Sequence, residues 1–318
     1  MNILFVTATR IGDAVLSTGL LSHLVETRPG ARFTIAAGPV AMPLFAGVPG
    51  LERVIVVEKR AASLHWPLLW ARVAARRWDL VVDLRGSALA WLVRAGERRV
   101  MAKGDDSEHR VVQLGRLFGL DPPPPPRLWP LRAHEAEAAE LVQPGGPFLA
   151  VGPAANWRGK QWRAERFAAL AQRLTGPGGP LAGARVAVMA AAHERAQAAP
   201  LLEALPPERR LDLVGRPGLL TAAAILRRAA LFVGNDTGLT HIAAASGAPT
   251  LALFGPTPAA QYAPWGPATA VAHTEVPRLA LFGPGFDHRT TDSMMDSLSV
   301  DAAERAAHAL LDRLGAAA

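Results

Sequence analysis

Residues 232–241 read FVGNDTGLTH, follow the apolar Ala229, Ala230 and Leu231, and run straight into IAAAS at 242–246. This is the pattern of a strand that ends at a tight polar corner and opens a helix. Such a corner turns unpaired backbone N–H groups and the positive end of a helix dipole toward one point, where phosphate oxygens can be held. The helix pattern stops at Gly247-Ala248-Pro249, and TLALF at 250–254 is the short apolar run of a buried parallel strand. The second half of the chain therefore carries a βαβ unit with a polar corner large enough for a nucleotide.

Strand and helix signals alternate through both halves. Strands are predicted at 2–7, 32–36, 53–57 and 80–83, then at 148–151, 185–189, 211–213, 231–233 and 250–254. Helices are predicted at 14–26, 66–78, 108–119, 133–141, 164–174 and 220–229. Alternation of this kind predicts an α/β fold of doubly wound parallel sheets with helices on both faces. At 318 residues the chain can hold two such cores. Five prolines at 122–126 cannot join a helix or an inner strand, and PGGP at 144–147 breaks the helix before it, so the hinge is expected in this region. Asp301-x-x-Glu304 has the spacing of a capping box ahead of a last helix running to about residue 314.

Half of the residues are hydrophobic, yet no apolar run reaches the length of a membrane span; the nearest, 219–233, is split by Arg227-Arg228. The N-terminus has no basic segment before its short apolar run, so no signal peptide is expected, and the protein is expected in the cytoplasm. With no cysteine, disulfides, thiolate metal sites and a cysteine nucleophile are excluded. The net charge of +7 fits either anionic partners or general arginine usage. Basic clusters at Lys59-Arg60, Arg72 with Arg76-Arg77, and Arg94 with Arg98-Arg99 all fall in the first half; they are either solvated helix faces or a shared surface for a phosphorylated or carboxylated acceptor at a membrane. No basic run interleaved with aromatics points to nucleic acid.

Motifs that are missing narrow the chemistry. There is no GxxxxGK phosphate loop and no GxGxxG after a strand, which argues against a P-loop NTPase or a nicotinamide dehydrogenase. His193-Glu194-Arg195 is not HExxH, and Asp105-Asp106 lies in a polar loop that reads as a solvated turn rather than a metal pair. Asp13, just past the first strand at the start of a helix, reads either as a helix N-cap or as an acid lining a strand-end crevice. Trp157 and Trp162 either shape a pocket or pack. His241 faces either a cleft or the core.

Three segments together, in order and at comparable separations, resemble glycosyltransferase family 9, the lipopolysaccharide heptosyltransferases. They are ILFVT at 3–7 leading into RIGDAVLST at 10–18, FLAVGPAA at 148–155 followed by KQWR at 160–163, and GNDTGLTHIAAASGAPTLALFGPT at 234–257 followed by APWG at 263–266. The chain departs from the family pattern at Ala154-Ala155-Asn156, where hydroxyl residues are common, and in lacking the late cysteines of some members. The resemblance implies a GT-B fold: two Rossmann-like domains, 1–143 for the acceptor and 144–300 for the nucleotide sugar, facing across a cleft. It also implies that the last helix, 301–318, crosses back to the N-terminal domain.

The function implied is metal-independent, inverting transfer of heptose from ADP-heptose to a lipopolysaccharide inner-core sugar on lipid A, at the cytoplasmic face of the inner membrane and with no cofactor. Another nucleotide sugar or acceptor, a nucleotide-sugar epimerase, and a non-catalytic nucleotide-binding protein of this layout are the alternatives. By the same resemblance Asp13 is the general base and Lys160 the cation on the donor phosphates. Donor contacts fall to Asp236, Thr237, Gly238, His241 and Gly12, with Glu194 on the ribose hydroxyls. Asp236 either bonds a sugar hydroxyl, the reading the resemblance favours, or caps the helix while Thr237 and Gly238 N–H groups meet the phosphates.

Overall fold

The chain is described here from a computed structural model covering every residue except Arg60, Lys103, Asp106, Pro144, Pro284, Ala317 and Ala318. The expectations that involved Arg60, Asp106 and the break at Pro144 lie outside the described residues. The chain divides into two compact units, Met1–Leu131 and Arg132–Ala318.

The first unit runs β1 (Asn2–Val6), α1 (Ile11–Thr27), β2 (Arg32–Ala37), β3 (Leu51–Val56), α2 (His65–Val73), β4 (Trp78–Asp83), α3 (Leu89–Leu92), β5 (Ala95–Val100) and α4 (Arg110–Arg116). Its five strands are parallel in the order β3-β2-β1-β4-β5. β1 and the middle of β4 (residues 80–82) are buried on both faces and are accordingly apolar. Leu4 and Val6 pack with Leu69 and Val73 of α2 and Leu89 and Ala90 of α3. Side chains alternate across a strand, so Ile3 and Phe5 face the opposite layer. The proline run is laid along α1: Arg127 N–H donates to Thr18 Oγ1 at 2.9 Å, and a Cβ on Gly19 would collide with the Pro124 and Pro125 carbonyls.

The second unit runs α5 (Arg132–Val142), β6 (Phe148–Gly152), α6 (Ala164–Thr175), β7 (Arg185–Val188), α7 (Arg195–Ala204), β8 (Arg210–Asp212), α8 (Leu219–Leu226), β9 (Leu231–Asn235), α9 (Gly238–Ala245), β10 (Thr250–Phe254), α10 (Ala259–Tyr262), β11 (Thr269–His273) and α11 (Val300–Gly315). Six parallel strands follow the order β11-β10-β9-β6-β7-β8.

The division falls at 131/132 rather than at 143/144 because α5 belongs to the second core. It buries Ala138 and Val142, Glu137 accepts the Thr221 hydroxyl of α8 at 2.6 Å, and Glu135 pairs with Arg227. The last helix also differs from expectation. Its apolar face, Ala303, Ala307 and Leu310, lies in the core of the second unit, against α6, β10 and β11. Its N-cap is Ser299, whose hydroxyl accepts from Ala302 N–H at 3.2 Å. Asp301 and Glu304 form no capping box; one helical turn apart, both pair with Arg173 of α6.

Both sheets have one place where strand order reverses. In the first unit it lies between β1 and β4, in the second between β6 and β9. Loops leaving the carboxyl ends of the two strands diverge there and open a crevice, the usual ligand position in such sheets.

Candidate functional site

The crevice of the second unit is floored by two glycines, Gly152 at the end of β6 and Gly234 beside it on β9. A Cβ on Gly234 would come within 2.6 Å of the Phe232 ring, so the backbone pair stays bare. Asn235, fully buried, ends β9 and holds the opposite loop from both sides: its amide N–H donates to Pro153 O at 2.7 Å and its Oδ1 accepts Trp162 N–H at 3.0 Å. Its own carbonyl accepts the Thr240 hydroxyl at 2.6 Å, tying the first turn of α9 to the same residue.

That loop carries Lys160, in the single 3-10 turn Arg158–Lys160. The Lys160 ammonium donates to Asp236 Oδ2 at 2.6 Å, with the two side chains 22% and 8% exposed. His241, buried one turn into α9, sets Nε2 3.9 Å from the other carboxylate oxygen. Thr237 is the N-cap of α9, in extended conformation and with no capping bond from its side chain. Asp236 is therefore not the cap; it stands one residue earlier and is engaged by Lys160. The N–H groups of Gly238, Leu239 and Thr240 have no intrahelical acceptor and add the positive end of the helix dipole to the ammonium. A cation and a fan of N–H donors converge at one strand end, which suits an anion with several oxygens.

A third segment steadies the Lys160 turn. Met294 N–H donates to Gly159 O at 3.0 Å and the Ser293 hydroxyl to Gln161 O at 2.6 Å. The Arg163 guanidinium, forked onto both oxygens of Asp296, holds that carboxyl below its ordinary range and anchors the segment. Trp157 and Trp162 differ: Trp162 is core, edge-on to Phe167, whereas Trp157 is half-buried and donates to His288 O at 2.8 Å. Glu194 follows β7, in the turn Ala192–Glu194, and its carboxylate accepts Ala191 N–H at 2.9 Å. It sits at the same strand-end edge as Lys160. Gln197 joins the two regions, accepting from Ala155 N–H and from the Gln161 amide. Asn235, Gln161 and Gln197 were not singled out in the sequence, where Asn235 shows only as one letter of the GND corner.

In the first unit, Gly12 and Asp13 lie in the first turn of α1, at the β1/β4 reversal. The N-cap is Arg10, so Asp13 is the third helical residue and the capping reading of it does not hold. Asp13 is half-buried, and its carboxylate makes no hydrogen bond or ion pair among the described residues. Its neighbour at the reversal behaves otherwise: Asp83, fully buried at the end of β4, is consumed by Arg85 N–H, Ser87 N–H and the Ser87 hydroxyl.

Replacing Asn235 by alanine leaves the Trp162 N–H and Pro153 carbonyl without partners in a buried place. The expected cost is about 2–4 kcal/mol, measured by urea unfolding.

Two doubly wound parallel sheets, one with an ammonium and a helix start together at its reversal, define an α/β protein of the Rossmann-like kind. Residues 108–283, more than half of the chain, match the sequence profile of Glycosyltransferase family 9 (heptosyltransferase). Lipopolysaccharide heptosyltransferase 1 of Pseudomonas aeruginosa is 29% identical over 291 residues, covering 81% of this chain and 79% of that protein. Among solved structures, E. coli ADP-heptose lps heptosyltransferase II superposes with a TM-score of 0.75 at 20% identity, over 99% of this chain and 100% of that one. E. coli heptosyltransferase WaaC with ADP-2-deoxy-2-fluoro heptose gives 0.67 at 21% identity, over 96% and 98%. The chain belongs to glycosyltransferase family 9 and is a glycosyltransferase with the α/β, two-sheet GT-B fold of those structures.

Proposed function

We propose that this enzyme transfers heptose from ADP-heptose to an inner-core sugar of a lipid A-anchored acceptor, with inversion at the anomeric carbon. The observation that carries the reading is the Lys160–Asp236 pair at the start of α9. It fixes the Lys160 ammonium beside the free N–H groups of the α9 start, where a diphosphate would depart. The similarity to lipopolysaccharide heptosyltransferases, one of them solved with ADP-2-deoxy-2-fluoro heptose, supports the choice of donor.

In this reading the acceptor hydroxyl oxygen forms a bond to the anomeric carbon as the carbon–oxygen bond to the β-phosphate breaks. The hydroxyl proton passes to the Asp13 carboxylate, which makes no hydrogen bond or ion pair among the described residues. The electron pair of the broken bond leaves with ADP, whose growing charge is met by Lys160 and by the N–H groups of Thr237, Gly238 and Leu239. An ammonium has three donors; one is spent on Asp236, leaving two for phosphate oxygens. Asp236 and His241 contact the sugar, Glu194 the ribose, and Gly12 lets the donor approach α1 closely. No metal or cofactor is assigned a role. Among the described residues no helix is long and apolar enough to cross a membrane; in this reading the enzyme meets its lipid-anchored acceptor from the cytoplasm, at the surface of the inner membrane.

A mass-spectrometric transfer assay tests this, with ADP-heptose, other nucleotide sugars and a truncated lipid A core acceptor. Heptosylated product from ADP-heptose alone is the expected result. Product only from another nucleotide sugar would overturn the donor, and consumption of donor without acceptor would point to an epimerase.

A further inference from the structure

We propose that the α2/α3 layer of the first unit is a docking face for an anionic phospholipid bilayer. One face of the first sheet is covered by only two short helices, of nine and four residues. α2 (HWPLLWARV) turns Leu69 and Val73 into the core, yet its outer side is also apolar: Leu64 before it, Leu68 one turn on and Trp70 are 55%, 46% and 42% exposed. On α3, Trp91 and Leu92 are 67% and 64% exposed. The Trp70 indole N–H donates to Leu92 O at 3.0 Å, which makes the two helices one surface. A helix apolar on both sides belongs against a second apolar phase, and exposed apolar side chains gathered on two adjoining helices mark an interaction site.

The charge favours one occupant. In sequence, residues 58–99 carry nine Lys and Arg against four Asp and Glu, most of the chain's net +7, and Glu58 lies with Leu68 and Arg72 along one shallow pocket. Arg76 is taken by Glu52 and Arg99 by Glu97, while Arg98 donates to the Ala90 and Val93 carbonyls and lies over the Trp91 ring. Arg72, Arg77 and Arg94 make no ion pair among the described residues and are exposed. Exposed tryptophan and leucine, with exposed arginines near them in the chain that make no ion pair among the described residues, suit a surface that is apolar just beneath a layer of phosphate, with Trp at the headgroup level. α1, α2 and α3 each follow a strand of one parallel sheet, so all three start at the strand-end edge that carries Asp13. Docking would hold that edge near the headgroups. Only this last point rests on the proposed function, since the acceptor there is lipid-anchored.

The test is flotation of the full chain with phosphatidylcholine vesicles, alone or with about 30% phosphatidylglycerol, at low salt and at about 0.5 M salt, where exposed charges are screened. The parent is expected to float with anionic vesicles and not with neutral ones. Trp91→Ser with Leu92→Ser should lower partitioning about tenfold or more, and Arg72→Glu with Arg94→Glu by more, since each lost basic residue is worth about fivefold. Unchanged melting and unchanged transfer to a deacylated, water-soluble acceptor would show that both variants remain intact. No flotation by the parent, equal flotation with neutral vesicles, or undiminished binding by folded variants would overturn the docking face. So would binding to immobilised polyglutamate that matches vesicle binding, which would mean an acidic protein partner. Vesicle binding by a parent that transfers no heptose would support docking while overturning the proposed function.

Discussion

Asp13→Asn is expected to transfer sugar about 10²–10⁴ times more slowly than the parent while holding its donor as tightly. That factor corresponds to about 3–5 kcal/mol of barrier, the usual worth of a positioned base. Asparagine keeps the size and hydrogen-bonding shape of the side chain, so what is lost is the ability to accept a proton and hold it. The structure separates this from a helix effect. Asp13 is the third residue of α1, not its cap, and its carboxylate has no partner to lose among the described residues. The remaining structural contribution is attraction to the positive end of α1, about 0.3–1 kcal/mol, which should appear as a melting shift of a few degrees at most. Turnover by mass spectrometry, donor affinity by calorimetry and melting temperature together give the answer. A folded variant turning over within a few-fold of the parent would remove Asp13 from the reaction.

How far these features could be read in the sequence depends on whether they are local. Interior strands such as β1, β6, β9 and β10 are short apolar runs between turn residues, and each was predicted within about two residues. β5 and β11 were not. Both are edge strands, and β5 (AGERRV) carries the charges that keep an edge from pairing with another chain; an edge is a property of the sheet, not of six residues. The predicted helix at 66–78 overran because Trp78 continues the apolar period of α2 yet opens β4, where it is fully buried. The apolar stripes of α5 and α11 were visible too, but a stripe does not say which sheet will cover it.

The site divides in the same way. The strand, corner and helix around Asp236 are contiguous and were legible from turn chemistry alone. The partnership of Asp236 with Lys160 spans 76 residues, and no spacing rule reaches that far; only resemblance to a family brought both into one reading. Asn235 was harder still. Its importance lies in bonds to Pro153 and Trp162 that become visible only when β6 and β9 are neighbours.

The Lys160–Asp236 pair can be separated into its structural and functional parts by substituting both residues. Lys160→Met strands a carboxylate that is 8% exposed. Breaking a buried pair costs about 3–5 kcal/mol; because Lys160 is 22% exposed and partly screened, about 1–3 kcal/mol is expected here. Lys160→Met with Asp236→Leu removes the stranded charge and should recover most of that loss, because an apolar pair of similar volume is often as stable as the ions it replaces. Turnover should behave differently. Both variants lack the ammonium on the departing diphosphate, and kcat/KM for donor should fall about 10²-fold or more in each. The double variant regains stability without activity if the ammonium or the Asp236 sugar contact works on the donor. Recovery of turnover along with stability would remove both roles, and the anion site would then consist of the α9 N–H groups alone.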